Sequence, residues 1–142
     1  MPTPAQISSF FDFSARQLSR LVEGHSDRFP MYTKNGRWDF SGESWTNWCE
    51  GFLGGQLWLL YQHTGEDLWR ARAEHYSQLI APRRTDRTVH DLGFLFWPTW
   101  KRWYDLTGDP AINAIVVEAG QTLALRFKEK GQYLRSFLAE DS

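Results

Sequence analysis

The sequence predicts an all-α chain made of helical hairpins, and three observations support this fold class. Apolar residues recur at three- and four-residue spacings along most of the 142 residues, which is the period of a helix. No segment shows the alternating pattern of a strand, so we predict none. A motif also repeats 43 residues apart, as Tyr-Gln-His-Thr-Gly-Glu at 61–66 and Tyr-Asp-Leu-Thr-Gly-Asp at 104–109. Repeated helical hairpins at this spacing are typical of a solenoid or a closed α/α toroid.

The apolar pattern divides the chain into five helices joined by loops rich in Gly, Pro and polar residues. The first four are predicted over residues of about 4–22, 46–63, 66–80 and 92–106. The fifth begins at Pro110, because proline is favoured in a first turn, and its buried face extends to Phe127. Aromatic-rich loops before the inner helices favour the toroid over the solenoid. We therefore expect residues 1–142 to form a single domain, an incomplete toroid of about five helices.

Glycines inside the second helix indicate a close contact. Gly51, Gly54 and Gly55 would weaken an isolated helix. Their presence predicts that the backbone approaches a neighbouring element or a ligand. Gly65 is placed to end this helix as a C-cap, and Pro98 is expected to kink the fourth helix or to lie near its first turns.

Composition excludes several classes of function. Lys and Arg total 16 and Asp and Glu total 17, a net charge of −1, which gives no basic footprint for nucleic acid or for a membrane surface. The single cysteine, Cys49, cannot form an internal disulfide and shows no activating base. We find no secretory signal, no apolar run long enough to span a bilayer, and no metal-ligand spacing. We expect a cytoplasmic protein without metal or other cofactor.

The His90-Asp91 pair is the strongest candidate for chemistry. It stands between a basic, polar loop and the aromatic start of the fourth helix. An Asp directly before a helix commonly caps it, and a capping carboxylate can still offer its second oxygen to a ligand. Beside His90 in an aromatic-lined cleft, the same carboxylate would suit a polyol-binding or acid/base element. The sequence leaves both interpretations open.

The aromatic content is high for a core of this size, with eight Trp, ten Phe and five Tyr. Four tryptophans fall at helical spacings and are predicted to be buried: Trp58, Trp69, Trp100 and Trp103. Trp45 lies next to the long loop before the second helix, where an indole either packs or stacks on a sugar ring. The arginines of 83–87 would suit a substrate carboxylate, although a solvated loop is the simpler interpretation.

With these residues in hand, the chain resembles the N-terminal part of glycoside hydrolase family 88, the unsaturated glucuronyl hydrolases. The resemblance covers essentially the whole chain in order, and its most specific element is His90-Asp91-Leu92-Gly93-Phe94. Its other motifs are Pro30-Met31-Tyr32, Gly36-Arg37-Trp38, Trp45-Thr46, Gly51-Phe52, the run from Gly55 to Gly65, Thr107-Gly108-Asp109 and Leu123-Ala124-Leu125-Arg126-Phe127. The Tyr-x-x-Thr-Gly-acid turns are shared with other α/α toroid enzymes.

The resemblance implies an (α/α)6 barrel that acts on oligosaccharides released by polysaccharide lyases. Such partners carry a Δ4,5-unsaturated uronic acid, and family enzymes hydrate its double bond. One Asp protonates C4 and helps to activate the water that attacks C5. The second, matched by Asp91, remains ionised and holds the sugar hydroxyls. Trp45 would stack on the unsaturated ring, and His90 would bind beside it.

The departures from the family pattern are also informative. Leu53-Gly54 stands where a Trp-Pro pair is usual, which is expected to alter the pocket wall, and Phe137 replaces a Trp. No residue of 1–142 matches the proton-donating Asp, because Asp141 comes too early and in the wrong context. We therefore expect a truncated chain that is inactive alone and that exposes apolar helix faces open to self-association.

Two rivals remain. One is an unsaturated rhamnogalacturonyl hydrolase-like toroid enzyme. The other is a non-catalytic helical-hairpin module that binds a protein or a glycan.

Overall fold

A computed structural model of the chain describes residues 1–41 and 44–136, without the side chains of residues 44–46. Its α-helices are α1 Pro4–Val22, α2 Glu50–Thr64, α3 Asp67–Ile80, α4 Leu92–Phe96, α5 Arg102–Thr107 and α6 Pro110–Ala124. Two 3-10 helices span Ser44–Cys49 and Ala81–Thr85, and a π-helix, Trp97–Lys101, joins α4 to α5. The segments α4, the π-helix and α5 follow one another without a break and together correspond to the predicted fourth helix. With these three segments counted as one helical rod, the described part of the chain contains the five predicted helices.

Two helical hairpins, α2–α3 and α5–α6, turn in the same way. Gly65 and Gly108 adopt left-handed conformations, with φ of 72° and 68°, which glycine tolerates best. Their amides donate to the carbonyls of Tyr61 and Tyr104, at 2.8 and 2.7 Å. The preceding threonine hydroxyl, in each turn, donates back to the helix and accepts the amide two residues on. The repeated motif therefore encodes one turn twice, as predicted.

The glycine face of α2 packs directly on the rod formed by α4, the π-helix and α5. A side chain at Gly51 would meet the carbonyl oxygen of Phe94, and a Cβ at Gly54 would lie 2.8 Å from Cγ2 of Thr99. At Gly55 the obstacle would be Pro98, 2.7 Å away. These glycines are needed for close approach to a neighbouring helix, which confirms the prediction.

Pro98 also explains the change of helix type along this rod. A proline inside a helix lacks an amide donor, and its ring displaces the preceding turn. The π-helix Trp97–Lys101 surrounds Pro98. Local π-helical geometry is a common way for a helix to accommodate a missing hydrogen bond. The Thr99 hydroxyl, which is fully buried, donates to the carbonyl of Leu95.

The core consists of two clusters of buried apolar side chains, one around α2 and α3 and one around α4 and α6. The indole of Trp58 donates to the Ser77 hydroxyl at 3.0 Å, and that of Trp100 donates to the Ser77 carbonyl at 2.7 Å. Trp103 packs against both clusters. The prediction of a core role is confirmed for Trp58, Trp69 and Trp100, which are buried, whereas Trp103 is only half-buried.

The prediction of no strands is wrong, because two short antiparallel hairpins are present. The first pairs β1, Tyr32–Lys34, with β2, Arg37–Asp39, and the second pairs β3, Phe127–Lys128, with β4, Tyr133–Leu134. Residues of both hairpins are largely exposed, so no apolar alternation marks them. The fifth helix consequently ends at Ala124, and Phe127 lies in β3 outside its buried face.

Candidate functional site

His90 and Asp91 face each other at the start of α4. The distance from His90 Nε2 to Asp91 Oδ2 is 3.1 Å, and the side chains are 29% and 25% exposed. Asp91 occupies the N-cap position, but among the described residues its side chain makes no capping hydrogen bond, while its carbonyl accepts from the Phe94 amide at 2.9 Å. The capping interpretation is therefore wrong for the carboxylate. The structure does bring the predicted pair together where solvent reaches both groups.

The loop before this pair is held by a short network of polar contacts. The Asp86 carboxylate accepts from the amide and the hydroxyl of Thr88, at 2.8 and 2.6 Å. Its other oxygen accepts from Arg83 Nε at 2.9 Å. Further along, Arg126 Nη2 donates to the carbonyl of Arg87 at 2.6 Å. The contacts of Asp86 and of the Arg87 carbonyl fix the loop that leads to His90.

Arg83 is a structural cation that connects this loop to the start of α2. Its Nη1 donates to Glu50 Oε2 at 2.5 Å, and the Arg83 side chain is only 19% exposed. Arg84 pairs with Glu118 at 2.6 Å. Neither the solvated-loop interpretation nor a role in binding a substrate carboxylate fits these paired arginines.

Burial and hydrogen bonding set the ionisation of the two acids beside Arg83. Burial raises the pKa of the Glu50 carboxyl above its ordinary value, although the charge of Arg83 opposes this shift. Burial would also raise the pKa of Asp86, but hydrogen bonds from Thr88 and Arg83 outweigh it and leave that pKa below its ordinary value. Asp86 is thus the firmly ionised partner in the network.

An aromatic cluster lies where α2 and α4 begin. The rings of Trp48 and Phe94 are 5.5 Å apart between centroids, and Phe52 lies 5.6 Å from Trp48 and 6.1 Å from Phe94. The 3-10 helix Ser44–Cys49 packs against α4. It carries Trp45 on the backbone beside the helix that Asp91 precedes. The Trp45 side chain lies outside the described residues, as do Phe137 and Asp141.

Sequence reasoning missed the residues that support the site. Glu50 and Arg126 gave no periodic or motif signal, and their partners lie 33 and 39 residues away along the chain. Leu53 is buried among core residues, and Gly54 lies against Thr99. Leu53 also lines a groove between α1 and α2, so the expectation of an altered pocket wall stays a prediction. Burial raises the pKa of the Cys49 thiol, as does the neighbouring Glu50 charge, which agrees with an unreactive cysteine.

Two further properties concern the described part of the chain. Within it, no helix combines the length and apolar character needed to cross a membrane. Among the same residues, no three His, Cys, Asp or Glu side chains assemble into a group suited to a metal ion.

The sequence is similar to those of several known proteins. No protein-family model matches the sequence. An unsaturated chondroitin disaccharide hydrolase of Streptococcus pneumoniae is 32% identical over 96 residues, which is 65% of this chain and 24% of that protein. Its counterpart in Streptococcus pyogenes is 26% identical over 135 residues, or 92% of this chain and 33% of that protein. The chain thus spans a quarter to a third of the length of these relatives.

Solved structures agree with the sequence matches. An unsaturated glucuronyl hydrolase of Streptococcus agalactiae aligns with a TM-score of 0.86 at 22% identity, over 97% of this chain and 35% of that one. One specific for heparin aligns with a TM-score of 0.79 at 23% identity, over 90% and 34%. These matches confirm the predicted helical hairpins as part of the (α/α)6 barrel fold. In sequence and in fold, the chain is similar to the unsaturated glucuronyl hydrolases of glycoside hydrolase family 88.

Proposed function

We propose that this chain carries part of a site that binds and hydrates Δ4,5-unsaturated uronic acids at the end of oligosaccharides. The observation that carries the proposal is the solvent-accessible His90–Asp91 pair at the start of α4. The names of the relatives support it, since they act on unsaturated chondroitin disaccharides or unsaturated glucuronyl groups. One solved relative, an Asp-to-Asn mutant, is complexed with an unsaturated sulfated disaccharide.

In this proposal Asp91 binds the sugar as an ionised carboxylate. A carboxylate accepts hydrogen bonds from two neighbouring hydroxyls, and charged acceptors form the stronger bonds. His90, 3.1 Å away, fixes the orientation of that carboxylate and offers a second polar contact. Trp45 would present an indole face to the unsaturated ring. The Asp86 and Arg126 contacts matter because a binding group must be held rigidly to be effective.

The reaction adds water across the C4–C5 double bond. A proton is transferred to C4, water attacks the cation that develops at C5, and the resulting hemiketal opens to release the remaining saccharide. The proton requires a donor acid with a pKa suited to giving it up. No residue of 1–142 matches the Asp that supplies it in the family. The proposal for residues 1–142 on their own is therefore binding without turnover.

Titration of the chain with three disaccharides tests the proposal. The probes are unsaturated chondroitin disaccharide, its saturated counterpart and unsaturated rhamnogalacturonan disaccharide, with heat of binding and absorbance of the double bond followed together. Preferential binding of the unsaturated chondroitin probe with stable absorbance supports the proposal. Preference for the rhamnogalacturonan probe would favour the rival enzyme class. Equal binding of all three would contradict recognition of the unsaturated ring and favour a non-catalytic module that binds a glycan. Absence of binding to all three would contradict a sugar site.

A further inference from the structure

Four cationic side chains converge on one concavity beside the loop that carries His90. The space measures about 290 Å³ and lies between that loop, the end of α6 and the β3–β4 hairpin. Its lining includes Arg87, Arg126, Lys128 and Arg135, together with Thr88 and Thr122. None of the described residues that line it is an Asp or a Glu.

The charge of this cluster is not balanced as it is elsewhere in the molecule. Arg83 and Arg84 each pair with carboxylates at 2.5 to 2.9 Å. Within the described ranges, no ion pair involves any of the four cations of the concavity. The nearby Asp86 does not compensate them, because its oxygens accept from Thr88 and Arg83.

One of the four cations, Arg126, is held in place by the fold. Arg126 is only 7% exposed, and its guanidinium donates to the carbonyls of Arg87, Arg135 and Ser136. Among the described residues, the buried Nε of Arg135 has no hydrogen-bond partner. A buried cation without a counter-charge and a buried donor without an acceptor are each costly unless an anion or acceptor completes the site. The concavity thus combines a fixed buried cation with an unsatisfied donor.

We infer that this concavity binds a tetrahedral oxyanion group, either a sulfate ester on a saccharide or an inorganic sulfate or phosphate. Arginine forks match the geometry of such groups, and lysine adds a mobile charge. The volume of about 290 Å³ is large enough to admit such an anionic group. The inference does not depend on sugar binding at Asp91.

Binding of inorganic sulfate and phosphate tests the site directly. Calorimetric titration of the 142-residue chain with each ion, against sodium chloride at equal ionic strength, removes the general effect of screening. We expect sulfate and phosphate to bind, and chloride not to bind. Lys128→Gln should weaken that binding about tenfold, the loss of one charged hydrogen bond. Arg135→Gln should act in the same direction.

Lys130→Gln is the matched control, because it removes the same charge from the same hairpin outside the lining of the concavity. It should leave the affinity unchanged. Tighter binding of a sulfated than of an unsulfated unsaturated disaccharide, lost in Lys128→Gln, would identify the saccharide as the source. Binding of the free ions alone would identify the inorganic source. Equal effects of sulfate and chloride, or equal losses in Lys128→Gln and Lys130→Gln, would overturn the inference.

Discussion

The Asp91 carboxylate turns toward the imidazole of His90, 3.1 Å away, and not toward the amides of the helix that it precedes. A capping carboxylate normally contributes about 0.5–2 kcal/mol to stability, and α4 forgoes that contribution. Such a departure from the locally favoured arrangement is expected where a residue serves a ligand. The start of α4 is then held by packing against α2 instead.

The contact between Gly51 and the backbone of Phe94 predicts a large penalty for Gly51→Ala. The added methyl would meet backbone atoms of Phe94 and Leu95, which cannot rotate away. Overpacking of this kind costs about 1–3 kcal/mol in the free energy of unfolding. Urea denaturation followed by tryptophan fluorescence measures it.

Gly93→Ala is the matched control, because no described atom lies within 4 Å of a Cβ at that position in α4. It should be neutral or should stabilise the chain by up to about 1 kcal/mol, since alanine favours the helix. Equal urea midpoints for the two variants would contradict the packing of α2 on α4.

Asp86→Asn is expected to destabilise the chain in a pH-dependent way. The pKa of Asp86 lies below its ordinary value of 3.8 in the folded chain. Its ionised form therefore stabilises the fold above that value, and the contribution is lost as the pH falls through the folded pKa. We expect a cost of about 2 kcal/mol near pH 7 and a smaller cost near pH 3.

Thermal or urea unfolding across this pH range compares Asp86→Asn with Asp105→Asn. Asp105 is 54% exposed, and in the described part of the chain its ion pair is with Lys101 four residues away, so its replacement should cost less than about 1 kcal/mol. The raised pKa of Glu50 makes a pH-dependent contribution of opposite sign. Besides burial, the charge of Asp86 is one cause of that raised pKa, so the comparison of Asp86→Asn with the parent chain removes this contribution only in part. A cost for Asp86→Asn that is constant with pH would contradict the proposed ionisation.

The groove between α1 and α2 predicts self-association. It measures about 640 Å³ and is lined largely by apolar side chains, among them Phe13 and Leu59, which are 54% and 42% exposed. Exposed apolar surfaces of this kind commonly mediate association. Sedimentation velocity should show a concentration-dependent increase in size that Phe13→Ser reduces. Val117→Ser, at an exposed position on α6, should leave it unchanged, and a monomer at every concentration would contradict the prediction.

The hairpin turns and the glycine contacts were predictable because their signals are local. The Thr-Gly pairs specify left-handed caps at Gly65 and Gly108, and three glycines in one helix interior require a close neighbour. The β1–β2 hairpin carried a local signal as well. Asn35-Gly36 adopts positive φ at both positions, a preferred two-residue hairpin turn. It escaped recognition because its flanking strands are short and exposed.

The residues that hold the candidate site in place could not be predicted, because they contact partners that are distant in the sequence. Arg83 reaches Glu50, and Arg126 reaches the Arg87 carbonyl, across 33 and 39 residues. A side chain that donates to a main-chain carbonyl leaves no complementary residue in the sequence to reveal it. The orientation of the Asp91 side chain could not be predicted either, since a carboxylate at an N-cap position can face the helix amides or a ligand.

Binding of unsaturated chondroitin disaccharide to the Asp91→Asn variant tests the central claim most directly. The substitution keeps the shape of the side chain and removes its charge, and a charged hydrogen bond of this kind contributes about 1.5–3 kcal/mol. Calorimetric titration should therefore show binding by the parent chain and by Asp105→Asn, with affinity about tenfold or more lower in Asp91→Asn. Unchanged affinity in Asp91→Asn, with the parent chain binding the disaccharide, would contradict the role of this carboxylate.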